Sequence, residues 1–356
     1  MKTFQGNGDS SALHRKIALN PFSEINFRIS ENLEFATFPD DHVNQWHSEW
    51  VEMRMYPSME FNRREFGKTV GVVSAVAASG LILTPSMAAA AIDVSHKIKI
   101  SGDLRTFTQR MALATAFVML DVDREHFMEV LKEEYEEFAH DMEVLVSGDP
   151  KYHMEPEQNE LVLEAINTVG IGWKVLGPAL KDVVDTGVVD DAHFHKIEKV
   201  NVQVMALTDS LLHRIMTEYK ESLPQGLAYQ IDVAGVQRML SQKMIKEAIL
   251  VALEFEADKH HGMLLGSMQL YGFGLDKLNG KMLHNEVTLP QLAAPVKAEL
   301  AKAEHCWVKL QPILNKLDTA HSASPAELVE LAKEADLTMD IYSAMLALLL
   351  KEAEAV

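Results

Sequence analysis

Cysteine is nearly absent from this 356-residue chain. The single Cys306 excludes an intramolecular disulfide framework and a cysteine-based zinc site. Beside Trp307 on an apolar helical pattern, it reads as a small core residue rather than a nucleophile. Proline is scarce after residue 91, where Leu, Ala, Val, Met, Glu and Lys dominate, and that composition favours helix. Basic residues are also short. Residues 1–90 hold 8 Lys/Arg and 10 Asp/Glu of the chain's 33 and 52, so most of the net charge of −19 lies beyond them. A body this acidic suits neither nucleic acid nor an anionic membrane surface. No Gly-x-Ser-x-Gly, P-loop or dinucleotide fingerprint occurs, and no constellation supports an enzyme or a bound cofactor. At 47% hydrophobic and 24% charged, the composition is that of a globular protein.

The histidines offer little metal chemistry. His193 with His195, and His260 with His261, are close pairs, but neither has the i, i+4 spacing of a helical metal site. No dedicated metal site is expected. Glu133, Glu134, Glu136 and Glu137 read as a solvated acidic helix face.

Residues 1–58 show no clean period. Met59 stands just ahead of a run built like an export signal, which makes a start near Met59 and a mis-assigned or disordered 1–58 the expectation. In 59–91, Arg63-Arg64 precedes Phe66 and Lys68. An apolar run from Val70 to Leu83 and an alanine cluster at Ala88–Ala91 follow. The Arg-Arg-x-Phe-x-Lys string resembles the twin-arginine export motif. The apolar run is shorter than the roughly 20 residues that span a bilayer. The expectation is therefore export to a bacterial periplasm with cleavage near residue 91; an uncleaved anchor is the alternative.

From Ile92 the chain repeats. KISGDLRTFTQRM (Lys99–Met111) aligns with DVAGVQRMLSQKM (Asp232–Met244) at an offset of 133. Gly102 falls on Gly235, Arg105 on Arg238, Gln109 on Gln242 and Arg110 on Lys243; Asp121 and Asp123 fall on Glu254 and Glu256. Later, Trp173–Leu180 aligns with Trp307–Leu314 one residue further out. One insertion over such a span is what an internal duplication looks like. Each unit carries four long helical patterns separated by breakers. The first has Val94–Leu120, Asp123–Val146, Glu157–Val184 and Asp190–Glu221; the second has Asp232–Glu256, Asp258–Leu278, Leu289–Leu317 and Ser324–Lys351. The expected fold is all-α: two tandem up-down four-helix-bundle modules, 92–225 and 226–356. Ile231–Leu253 carries both an apolar stripe, expected to be buried along one side, and the Gly-x-x-Arg-x-x-x-Gln-Lys string.

That string, GxxRxxxQ[RK]M at the start of a long helix, resembles the P-box helix of the NarX/PilJ-type sensor domain. The second copy is the closer match; the first has Ser101 in place of Ala and Phe107-Thr108 in place of Leu-Ser. The resemblance implies an extracytoplasmic bundle that pairs along this helix and holds a small anion, nitrate or nitrite, between two copies. It implies ligand-binding roles for Gly102, Arg105, Gln109, Arg110, Gly235, Arg238, Gln242 and Lys243. No second membrane span, kinase or methyl-accepting region is evident, so a signal would pass to a partner such as a membrane receptor or envelope protein. The membrane itself would be met only through an uncleaved signal segment. Physically, two close-packed Gly-x-x-Arg helices would aim two guanidinium forks at one point, a geometry suited to a planar oxyanion. Against this, each arginine could pair with an acid of its own bundle, Asp103, Asp232 and Glu254 being at hand. The function expected is then a non-enzymatic sensor-type binding protein; the alternative is a structural or interaction module of the envelope with no small ligand.

Overall fold

The computed structural model describes residues 85–284 and 287–355. The expected start site and the arginine pair and apolar run of the expected export signal lie outside them. Among the described residues there are eight long helices and no strand. They are α1 (Pro85–Met119), α2 (Arg124–Ser147), α3 (Glu160–Thr186), α4 (Asp191–Glu218), α5 (Gln225–Ala252), α6 (Ala257–Leu278), α7 (Ala294–Ala320) and α8 (Pro325–Glu354). A 3₁₀ turn, Pro150–Tyr152, lies between α2 and α3.

Short breakers make consecutive helices antiparallel neighbours. α1–α4 pack in a ring, each against the next and α4 back against α1. α5–α8 do the same. The rings join where α1 lies against α5 and α8. No described helix is long and apolar enough to cross a membrane.

Local chemistry explains the helix ends. Asn159, Asp190 and Ser324 cap α3, α4 and α8 through their side chains, satisfying amide donors that the helix leaves unpaired. Ser324 and Glu327 form the reciprocal capping box, with Pro325 at the first helical position. The α1–α2 and α5–α6 turns have matching backbones. Asp121 and Glu254 have φ of 56° and 57°, and Asp123 and Glu256 both have 42°, at positions the sequence aligns. Left-handed φ is costly for a residue bearing Cβ, and more so for Glu than for Asp.

The expectation of one buried side on α5 needs correction. From Gln230 to Val251 every residue is buried, and most of α1 likewise. These helices contact their own ring on one side and each other on the other, so neither keeps a wet face. Their polar side chains must therefore find partners inside the protein. Thr106, Thr108, Thr115 and Ser241 bond back to carbonyls of their own helix. α5 also begins at Gln225, seven residues ahead of the Asp232 expected from the pattern.

Apolar layers fill each ring. Phe117 of α1 and Phe127 of α2 stack at 4.3 Å between centroids, both buried. Phe117→Ala should cost about 3–5 kcal/mol of unfolding free energy through lost burial and the cavity left behind. A urea melt showing a loss below about 1 kcal/mol would mean that this layer is not closely packed.

Candidate functional site

The two motif helices meet side by side, and their arginines reach one narrow gap between α1 and α5. Gly102 and Arg105 line it from α1, Gly235, Arg238 and Asp232 from α5, with Lys99 at its edge. As it stands the gap does not admit a water-sized sphere.

The arginines are ion-paired, largely across the gap. Arg105 donates from Nη2 to Asp232 on α5 at 3.3 Å, and from Nη1 to Asp209 on α4 at 2.6 Å. Arg238 donates from Nη2 to Asp103 on α1, and from Nη1 to Ser343 Oγ on α8 at 3.3 Å. Each fork thus reaches one carboxylate on the opposite motif helix and one oxygen in its own ring. Asp103 and Asp232, expected as partners within a bundle, instead pair between bundles. Lys99 also donates to Asp103. Burial pushes the Asp103 carboxyl up, but Arg238 and Lys99 outweigh it and hold it below the ordinary range.

The glycines serve a different neighbour from the one expected. A Cβ on Gly235 would sit 3.5 Å from Arg105 Nη2, and a Cβ on Gly102 would meet nothing within 4 Å. At Gly235 the neighbour is a guanidinium at ordinary contact distance, and at neither glycine does another backbone come that close.

The other motif residues point elsewhere. Arg110 donates to Gln242 Oε1 at 3.0 Å and to Asp336 on α8 at 2.7 Å, and its Nε lies 3.0 Å from Glu134 on α2. His126 meets the other oxygen of Asp336 at 2.8 Å. Gln242 also donates to the Ala335 carbonyl at 2.9 Å, and Gln109 reaches Asn201 on α4 at 3.4 Å. Lys243 leaves the gap for Ser267 on α6, at 3.0 Å, and Glu247, at 3.2 Å. The eight motif residues therefore fall into a gap set (Gly102, Arg105, Gly235, Arg238), a second polar layer (Gln109, Arg110, Gln242) and Lys243 apart.

Two acids on α2, one from the run expected to be solvated, turn inward beside this layer. Burial raises Glu134 to about 7, with Arg110 pulling the other way. Burial, with the neighbouring Asp103 charge, raises Asp141 to about 8.

One turn beyond the motif lies a cluster the sequence reading missed. Lys246 donates to both oxygens of Glu198 on α4 at 2.7 and 2.9 Å and lies 3.3 Å from Glu247. Glu247 also meets His260 Nδ1, and all four residues are buried. Ligand atoms of Glu198, Glu247 and His260 lie within 4.8 Å of one another, close enough for a shared metal ion. The Lys246 ammonium lies against both carboxylates, so the chain itself supplies the neutralising cation. Burial pushes Lys246 down, but the two glutamates outweigh it and raise it above its ordinary value. Lys243, by contrast, is lowered by burial despite Glu247. The 133-residue alignment held a clue: it sets Lys246, Glu247 and His260 opposite Leu113, Ala114 and Phe127. Charges substituted into core positions need one another.

Two outcomes follow. Lys246→Met should cost about 3–5 kcal/mol by leaving buried glutamates uncompensated, and adding Glu198→Gln should recover part of it. A single-mutant loss under about 1 kcal/mol in denaturant melts would show that the cluster is hydrated. For Asp141, whose pKa is raised from 3.8 to about 8, the protonated form is favoured by folding. Its contribution is full below about pH 4 and is lost as pH rises through about 8. Asp141→Asn should remove on the order of 1–3 kcal/mol of that alkaline loss, read from melts across pH; an unchanged profile contradicts the assignment.

No curated protein and no solved structure matches the chain. Residues 224–333, which run from the start of α5 into α8 and include Gly235, Arg238, Gln242 and Lys243, match the PilJ family model, described as Type IV pili methyl-accepting chemotaxis transducer N-term, a family of signalling transducers rather than enzymes.

Proposed function

We propose that this chain is an exported, non-enzymatic sensor protein in which two PilJ-type modules, 92–225 and 226–356, form an internal pseudo-dimer. A small planar oxyanion of the nitrate or nitrite kind binds between the motif helices. The observation that carries this reading is the convergence of Arg105 and Arg238, from helices of different rings, on one gap with Gly102 and Gly235. The pairing pattern supports it. A carboxylate is itself a planar oxyanion, so a guanidinium fork that accepts Asp103 or Asp232 is already shaped for nitrite or nitrate. In this reading the described state is the closed one, and the ligand takes the place of a carboxylate. Arg110 and Gln242, linked to Asp336, would carry the change to α8. A membrane receptor or envelope protein would read it, and the periplasm is the compartment the signal-like segment supports.

One observation favours a second reading. Both arginines have partners within the protein, and the gap takes no water-sized sphere, as expected if the ion pairs only lock two bundles together. Thermal melts in nitrate, nitrite and chloride separate the two. A ligand bound only by the folded state at about 100 times its Kd adds about 2.7 kcal/mol, and the sensor reading predicts such stabilisation by one planar oxyanion but not by chloride. It further predicts that Arg238→Ala and Arg105→Ala each abolish it. Equal melting in all salts supports the structural lock.

A further inference from the structure

The charges around the gap fix a condition on any anion that enters it. Lys99, Arg105 and Arg238 bring three positive charges, and Asp103, Asp209 and Asp232 bring three negative ones. Arg105, Arg238, Asp103 and Asp232 are buried. These six charges balance before a ligand arrives. An anion that takes the place of Asp103 on Arg238 leaves one negative charge too many in an enclosed place. Unpaired buried charge is costly, and the carboxyl group can relieve it by taking a proton.

We propose that the gap binds its oxyanion together with one proton, Asp103 being the group that receives it. This rests on the sensor reading above and deepens it. Asp103 is the suited receiver because of what faces it from each neighbouring helix. From α5 comes Arg238, the group the ligand takes away. From α1 comes Lys99, which donates to Asp103 from a side chain about a third exposed. From α2 comes the electrostatic influence of Asp141 and Glu134, two further acids. α4 and α8 send Asp209 to Arg105, Ser343 to Arg238 and Asp336 to Arg110, and no cation to Asp103. Once Arg238 turns to the ligand, Asp103 keeps Lys99 as its ion-pair partner, on a side chain about a third exposed. The balance is simple: the Arg238–Asp103 pair opens, an Arg238–oxyanion pair forms, and a proton from solvent joins an Asp103 oxygen. No bond of the ligand changes. The site thereby responds to acidity as well as to anion concentration, binding more tightly as pH falls.

Calorimetric titration of the full chain with sodium nitrate and with sodium nitrite tests this. Repeating it in buffers of different ionisation enthalpy gives the number of protons taken up. The expected result is about one proton per anion and an affinity that falls up to about tenfold per pH unit as pH rises over the range titrated. Asp103→Asn, which cannot ionise, should bind with no proton uptake and at one affinity across that range. Binding by the native chain without proton uptake overturns the coupling and leaves the sensor reading standing. Absence of binding at every pH removes both. The native chain alone decides the matter if the variant does not fold.

Discussion

Everything else in this structure depends on the exchange of guanidinium–carboxylate pairs between α1 and α5. Helices buried on all sides are ordinarily apolar, yet these two carry two arginines and two aspartates into the interface between their rings. Desolvating four charges is unfavourable unless each meets a partner in good geometry. The arrangement meets that condition by crossing: Arg105 to Asp232, Arg238 to Asp103. A carboxylate can find its guanidinium only when the two helices lie in one register. The pairs thus specify how the rings meet, and apolar layers above and below supply most of the burial.

The two crossings are alike without being identical. The motif arginines occupy aligned positions, and so do their partners within each ring, Asp209 and Ser343. The acids across the gap do not. Asp232 stands where the first unit has Lys99, and Asp103 stands where the second has Val236. Lys99 can therefore join Asp103, while at the other end the basic groups that feel Asp232 are Lys277 and His284, from outside the motif. The same asymmetry runs deeper, where Arg110 with Glu134 is matched by Lys243 with Ser267. A site with unlike ends can take a ligand in one orientation and pass a change to one side preferentially. In the proposed sensor that side would be α8, which Arg110 touches through Asp336.

Much of this was legible in the sequence. Breakers and 3.6-residue periods marked eight helices, and the Ser324-Pro325-Ala326-Glu327 string marked the start of the last one. The offset of 133 picked out Arg105 and Arg238 before any contact was known. What stayed hidden was which acid each arginine would meet. Asp209, Asp336 and Glu198 lie on helices far away in the chain, and no periodicity reports a neighbour brought by packing. The all-round burial of α5 was hidden for the same reason, since one amphipathic stripe cannot announce a second helix on its polar face. Glu134 misled most plainly: in a run of four acids it reads as solvated, yet its helical position turns it towards Arg110. The Lys246 cluster shows the opposite case, where the 133-residue alignment with Leu113 and Phe127 would have exposed the anomaly.

The claim on which the account turns is that Arg238 and Asp103 interact directly across the gap. A double-mutant cycle with Arg238→Gln, Asp103→Asn and the pair, followed by denaturant unfolding, measures that interaction. The account predicts a coupling energy on the order of 2 kcal/mol, as for buried partners in contact. Two single-mutant losses that add, with coupling below about 0.5 kcal/mol, would contradict it and return each arginine to its own bundle.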